Sequence, residues 1–224
     1  MKFSGRKVLF LVLFIVLGSV ALQIPLVNIV GSARKFTVLE LFGPSAGMLA
    51  GPVVGTISVL AVKIISALIT GASFDVASML LLLTMPLAAL YFGSKSKLVA
   101  VIPVVCMTLF IMHPIGREVW YFSLYWLIPI LGVFKKKFLI LNSLGSTFTA
   151  HAVGSTVFLY AFGLPAAAWV GLIPQVALER GFFAVGIWFS YLVMNNVFNL
   201  LASSWCFRFM GKLVNDKYVY FLKS

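Results

Sequence analysis

The sequence predicts an all-α polytopic membrane protein of about eight transmembrane helices. Three observations predict it. Of 224 residues, 62% are hydrophobic and only 10% charged, where a soluble domain carries roughly 45–50% and 25%. The apolar residues run in blocks of bilayer-crossing length, and Lys and Arg gather in short clusters between the blocks. A mean hydropathy of +1.11 excludes an ordinary soluble domain and a disordered chain. The net charge of +12 would otherwise suggest nucleic acid, but its confinement to loops is the positive-inside pattern. No nucleic-acid partner is expected; the chain belongs in a lipid bilayer, as a multi-pass protein of the cell membrane.

The apolar runs fall at 8–30, 37–71, 75–93, 98–113, 118–134, 138–162 and 169–207. The first begins on Lys2, Arg6 and Lys7 and has small residues at Ser19 and Ala21, as a cleaved signal peptide would. It continues to Val30, however, which is span length, so a retained first helix is expected. As one helix of about 1.5 Å per residue the second run would reach roughly 52 Å, too long for one crossing. Gly51-Pro52 divides it, since proline favours the first turn of a new helix. Two short spans, 37–51 and 53–71, follow. In the last run, Pro165 to Pro174 reads as an outer approach segment and 174–205 as a single span. Residues 1–207 then form one transmembrane helical domain, and 208–224 a basic cytoplasmic or interfacial tail.

Charge placement supplies a check. With eight spans and both termini inside, twelve Lys/Arg face the cytoplasm, including Lys95, Lys97, Lys135, Lys136, Lys137, Arg208, Lys212, Lys217 and Lys223. Only Arg34, Lys35 and Arg117 lie outside. A seven-span reading weakens the asymmetry and sends the basic N-terminus out.

Gly43, Gly47, Gly51 and Gly55 recur every fourth residue, a spacing that lets helix backbones approach closely in lipid. Gly43-Pro44-Ser45-Ala46-Gly47 also matches the G-x-S-x-G of serine hydrolases. That motif needs a strand–turn–helix setting and an acid–histidine pair, and neither is visible. The helix-packing reading is preferred.

Ionisable groups inside apolar runs mark cavities, partners or substrates. Here these are Lys63, Glu179 and Arg180, with His151 beside them. Gln175 and Glu179 share a helix face, as do Thr147, His151 and Ser155 at i, i+4 and i+8. Together these seven residues are the candidate substrate-binding set. A purely structural ion pair of Glu179 with Arg180 or Lys63 is the competing reading. A lone intramembrane histidine, His113 far along the chain, and the separated Cys106 and Cys206 suggest no metal site, disulfide or cofactor. Trp120, Tyr121, Tyr125 and Trp126 read as interfacial belt residues. Asn195 and Asn199 share a face near the inner end of the last span.

The stretch from Ala46 to Gly55, followed by an apolar helix bearing Lys63, resembles the substrate-binding S components of energy-coupling factor (ECF) vitamin transporters. Their "AGxxxGPxxG" segment joins two short helices. The final pair is also similar: small and polar residues from Gly145 to Tyr160, then a helix from Ile173-Pro174. The resemblance covers 37–93 and 138–205. It implies a six-helix core with 98–134 as an inserted pair, and no A-x-x-x-A docking patch occurs on the first helix. It further implies a non-enzymatic subunit that captures a vitamin-like small molecule, working with a transmembrane coupling subunit and two ATPase subunits. No Walker A sequence occurs in this chain, so ATP hydrolysis would lie elsewhere. The alternatives are an intramembrane enzyme acting on a lipid or isoprenoid through Glu179, Arg180 and His151, or a self-contained secondary transporter.

Overall fold

A computed structural model describes residues 5–29, 35–72 and 74–220. Lys2, Arg34, Phe221 and Lys223 fall outside the described residues, as do the side chains of Arg6, Lys7 and Cys206. The first helix, α1 (Gly5–Leu22), turns Phe10, Phe14 and Ala21 inward and Val12, Val16 and Val20 outward. It stops well short of Val30, correcting the expected span. Pro25 has no N–H to continue the helix and forces Ile24 towards an extended backbone. Strand β1 (Pro25–Asn28) starts there and pairs antiparallel with β2 (Lys35–Thr37).

The long second run breaks as its glycines and prolines dictate. Helices α2 (Leu39–Phe42) and α3 (Ser45–Ala50) lead to Gly51, and α4 (Pro52–Ile69) opens with Pro52 in its first turn. Next come α5 (Val76–Leu82) and α6 (Thr84–Gly93). The Asp75 side chain caps α5 by accepting from the Ser78 N–H at 2.9 Å. Pro86 explains the interruption between them, because its ring collides with the carbonyl four residues back, at Leu82. A 3-10 turn leads into α7 (Val101–Met112); α8 (Pro114–Glu118) and a second 3-10 stretch, Trp120–Trp126, lead into α9 (Leu127–Gly132).

Helix α10 (Leu139–Phe162) ends on Gly163 in the left-handed conformation, and α11 (Ala166–Ala202) follows. The last helix therefore does not begin at Pro174. That proline sits inside one continuous helix, a placement membrane helices tolerate; nearby, the Tyr125 hydroxyl donates to the Ile173 carbonyl at 2.9 Å. After α11 the tail folds back in short 3-10 turns. Asn195 and Asn196 hold it, donating to the carbonyls of Asn215 and Tyr218 and accepting from the Asn215 and Tyr220 N–H groups.

Among the described residues, three helical segments, Pro52–Ile69, Val76–Gly93 and Ala166–Ala202, are long and apolar enough to cross a membrane. Large apolar side chains cover the outside of the bundle, among them Leu178, Phe182, Val185 and Phe189 along one face of α11. A water-facing protein rarely exposes so continuous a surface; a lipid-facing one requires it.

Helix α10 lies at the centre, against α5, α6, α7, α9 and α11. Its polar residues reach across to neighbouring backbones: Asn142 to the Phe92 carbonyl at 2.9 Å and Ser146 to the Ala88 carbonyl at 2.8 Å. Such interhelical bonds join helices where hydrophobicity offers no driving force. The tightest crossing is that of α3, α4 and α6. A Cβ on Gly47 would fall on the Ala89 carbonyl, one on Gly93 on the Gly47 carbonyl, and one on Gly55 on the Ala46–Gly47 backbone. Gly51 differs: space around its Cβ position is open, and its φ of +91° is what demands glycine. The expected Gly51 packing contact is thus corrected to a turn, and Gly43 meets only its own turn and the Met85 side chain.

Candidate functional site

Two cavities lie at opposite ends of the bundle. One, of about 610 Å³, collects Lys95, Lys136, Lys137, Lys212 and Lys217. Lys136 there donates to the carbonyls of Tyr91 and Ser94 at 2.6 and 2.7 Å, satisfying the C-terminal end of α6. Burial pushes its ammonium pKa down to about 8.

The other cavity, about 560 Å³, is bounded by the β1–β2 hairpin, α2, α4, α5, α6, α10, α11 and the Trp120–Trp126 turn. Pockets of roughly 300–1,000 Å³ with apolar walls and few polar groups are the usual form of small-molecule sites. Six of the seven candidate residues line this one: Lys63, His151, Ser155, Gln175, Glu179 and Arg180. Thr147 does not. It is only 4% exposed and lies one turn beyond Ala150 towards the lysine-rich end, below the cavity floor, which corrects its place in the polar stripe.

Arg180 is the most confined charge, 3% exposed. Its guanidinium is backed by the rings of Phe36 and Phe183, at 4.6 and 4.7 Å, close enough for cation–π attraction. Nη2 meets the Glu179 carboxylate at 3.5 Å, long for a charge-assisted bond of 2.7–2.9 Å, and Nε has no acceptor. The Glu179–Arg180 pair thus exists, but both partners also face the cavity. Glu179 is held by Gln175, whose amide donates at 2.7 Å.

The His151 ring has a fixed tautomer. The Trp126 indole N–H, which can only donate, reaches His151 Nδ1 at 3.1 Å. The ring proton therefore sits on Nε2 and is donated to the Ser155 hydroxyl 3.1 Å away. In this arrangement His151 cannot accept the Ser155 proton, so the pair is not a nucleophile with its base. Ser45, the G-x-S-x-G serine, is fully buried in the first turn of α3, not on a strand–turn–helix elbow.

Trp126 corrects the belt reading. It is 0% exposed, whereas Trp120 is 50% exposed. Its neighbours form an aromatic block: Phe110 meets Phe122, Trp126 and Trp169 with ring centroids 5.7, 5.2 and 5.3 Å apart. The segment 98–134 consequently supplies part of the cavity wall through Phe122.

Sequence reasoning missed Glu40, Phe36, Phe122, Phe158 and Trp169 in the lining. Glu40 had a signal: Thr37-x-x-Glu40 reads as a capping box. Its carboxylate accepts from the Thr37 N–H and hydroxyl at 2.6 and 2.7 Å. The aromatic residues had none, because an aromatic side chain in an apolar run is ordinary core. Among the described residues no His/Cys/Asp/Glu group could hold a metal ion. No family model, curated protein or solved structure matches the chain.

Proposed function

We propose that this chain is the membrane-embedded substrate-binding subunit of an ECF-type importer. It captures a vitamin-like small molecule from outside for ATP-driven uptake by a transmembrane coupling subunit and two ATPase subunits. It performs no chemistry itself. The observation that carries the reading is the aromatic-walled cavity of about 560 Å³ beside the charged residues of α11. The fixed His151 tautomer argues against one form of the enzymatic alternative, in which His151 would serve as base to a Ser155 nucleophile.

The reading includes eight crossings with both termini inside. The chain's path supports it, since successive segments alternate between the two cavities. Residues 36–40 reach one and 48–49 the other; 63–70 return, 81–85 leave, and 92–95 arrive at the lysines. The lysine-rich cavity then faces the cytoplasm, and the aromatic-walled one opens outward. In a variant lacking native cysteines, Ser96→Cys should resist an impermeant thiol reagent in intact cells and Arg117→Cys should react. Labelling of position 96 from outside overturns the topology.

For the function itself, native mass spectrometry of the purified protein should find a retained small molecule. Uptake into vesicles should require the coupling and ATPase subunits together with ATP. Gradient-driven uptake by this chain alone would replace the reading with a secondary transporter.

A further inference from the structure

The chemistry of the cavity narrows its ligand, on the premise that this cavity is the binding site proposed above. We infer that the ligand is a carboxylate attached to a largely apolar body, with the carboxylate received at Arg180 and the body lying among Phe122, Phe158 and Trp169.

Three observations converge. Arg180 is almost fully buried yet poorly satisfied: one carboxylate oxygen at 3.5 Å, and an Nε without an acceptor. A buried cation in that condition gains most from an added anion. Phe36 and Phe183 back the guanidinium, fixing its plane, and a planar fork selects the matching planar oxyanion.

The charged groups of the lining are of both signs: Lys35, Lys63 and Arg180 against Glu40 and Glu179. Both carboxylates already accept bonds, Glu40 from Thr37 and Glu179 from Gln175. With His151 Nε2–H donating to it, the Ser155 hydroxyl keeps its own proton to offer. Three cations against two carboxylates leave an excess of one positive charge in the lining, which a monoanionic ligand balances.

Much of the remaining wall is apolar. Phe122, Phe158, Trp169 and Leu81 are all buried lining residues, and a rigid apolar wall of this kind suits a largely apolar body. A carboxylate balances that single excess charge, whereas the second charge of a phosphate ester would face Glu40 and Glu179 without a cation to offset it.

Matched probes test the inference on the full-length protein in detergent or nanodiscs. 3-Phenylpropanoate should stabilise it against heat at millimolar concentration, and its primary amide should bind at least tenfold more weakly. 3-Phenylpropylamine should have no effect. Arg180→Gln should reduce the acid-over-amide preference at least tenfold, and Arg180→Lys should fall between.

The wild-type comparison stands even if an Arg180 variant does not fold. No stabilisation by the acid, equal binding of amide and acid, or a preference for the amine overturns the inference. Tighter binding of phenyl phosphate than of the carboxylate overturns it in favour of a phosphate ester. These results concern ligand class alone; uptake without ATPase subunits would overturn the importer reading and leave the carboxylate preference untouched.

Discussion

Where α3, α4 and α6 cross, Gly47, Gly55 and Gly93 bring backbone onto backbone and leave no room for a single Cβ. Elsewhere Phe110 stacks on Phe122 and meets Trp126 and Trp169 edge to face, with His151 against Phe122 and Trp126, beside a cavity of about 560 Å³. Small residues close space because flat helix surfaces can touch along their length. Large rings hold space open, because they brace one another at centroid distances of several ångström and cannot collapse into a void. One region is a joint and the other a frame.

The comparison breaks most visibly at the joint. Gly93→Val places a branched side chain on the Gly47 carbonyl, where the obstacle is backbone and cannot rotate away. Overpacking costs about 1–3 kcal/mol where side chains can give, and more where they cannot. Gly93→Val should therefore abolish the folded, monodisperse peak on size-exclusion chromatography. A normal peak with an unchanged melting temperature would show that the crossing is looser than its geometry.

The frame should respond less, and in a different way. Trp126→Phe removes the indole donor, leaving His151 Nδ1 a buried acceptor without a partner, and opens a small void. An orphaned acceptor with a void costs about 3 kcal/mol. The melting temperature should fall by several degrees, and the histidine ¹⁵N signals should shift as the tautomer is freed. Trp120→Phe, at a half-exposed ring, should change neither. Equal behaviour of the two variants would return Trp126 to the lipid interface.

The sequence revealed these regions unequally. The four-residue glycine spacing marked the joint, but the same spacing concealed three different roles. Gly47 and Gly55 provide contact, Gly51 a turn and Gly43 little of either, while the decisive partner, Gly93, lies outside the pattern. Period alone reports proximity on one helix, not what crosses it. At the site, Lys63, His151, Gln175, Glu179 and Arg180 stood out because polar groups in apolar runs are costly. Thr147 shared their face, but a helix face is continuous and a cavity is not.

The aromatic frame was illegible for a converse reason. Its members come from α7, the Trp120–Trp126 turn, α10 and α11, and each is unremarkable in an apolar run. Only the tertiary meeting of four distant segments makes them a wall. The ends of α1 and α11 were misjudged through proline: Pro25 stopped a helix expected to continue, and Pro174 entered one expected to begin. Local sequence gives the lost N–H in both cases. Whether the helix stops there or runs on is decided by packing.

The smallest expected effect is at Gly51, and it separates conformation from contact within the joint itself. Its φ of +91° lies in a region that L side chains rarely adopt, while nothing approaches its Cβ position within 4 Å. Holding a non-glycine residue in such a conformation costs about 1–3 kcal/mol whatever its size. Gly51→Ala and Gly51→Leu should therefore both fold and should lower the melting temperature by similar amounts. At Gly93, Gly93→Ala should already be severe and Gly93→Val worse, because each added atom meets backbone. If Gly51→Leu were far more damaging than Gly51→Ala, Gly51 would be a contact glycine after all. The turn into α4 would then close against a surface as crowded as the crossing it leads to.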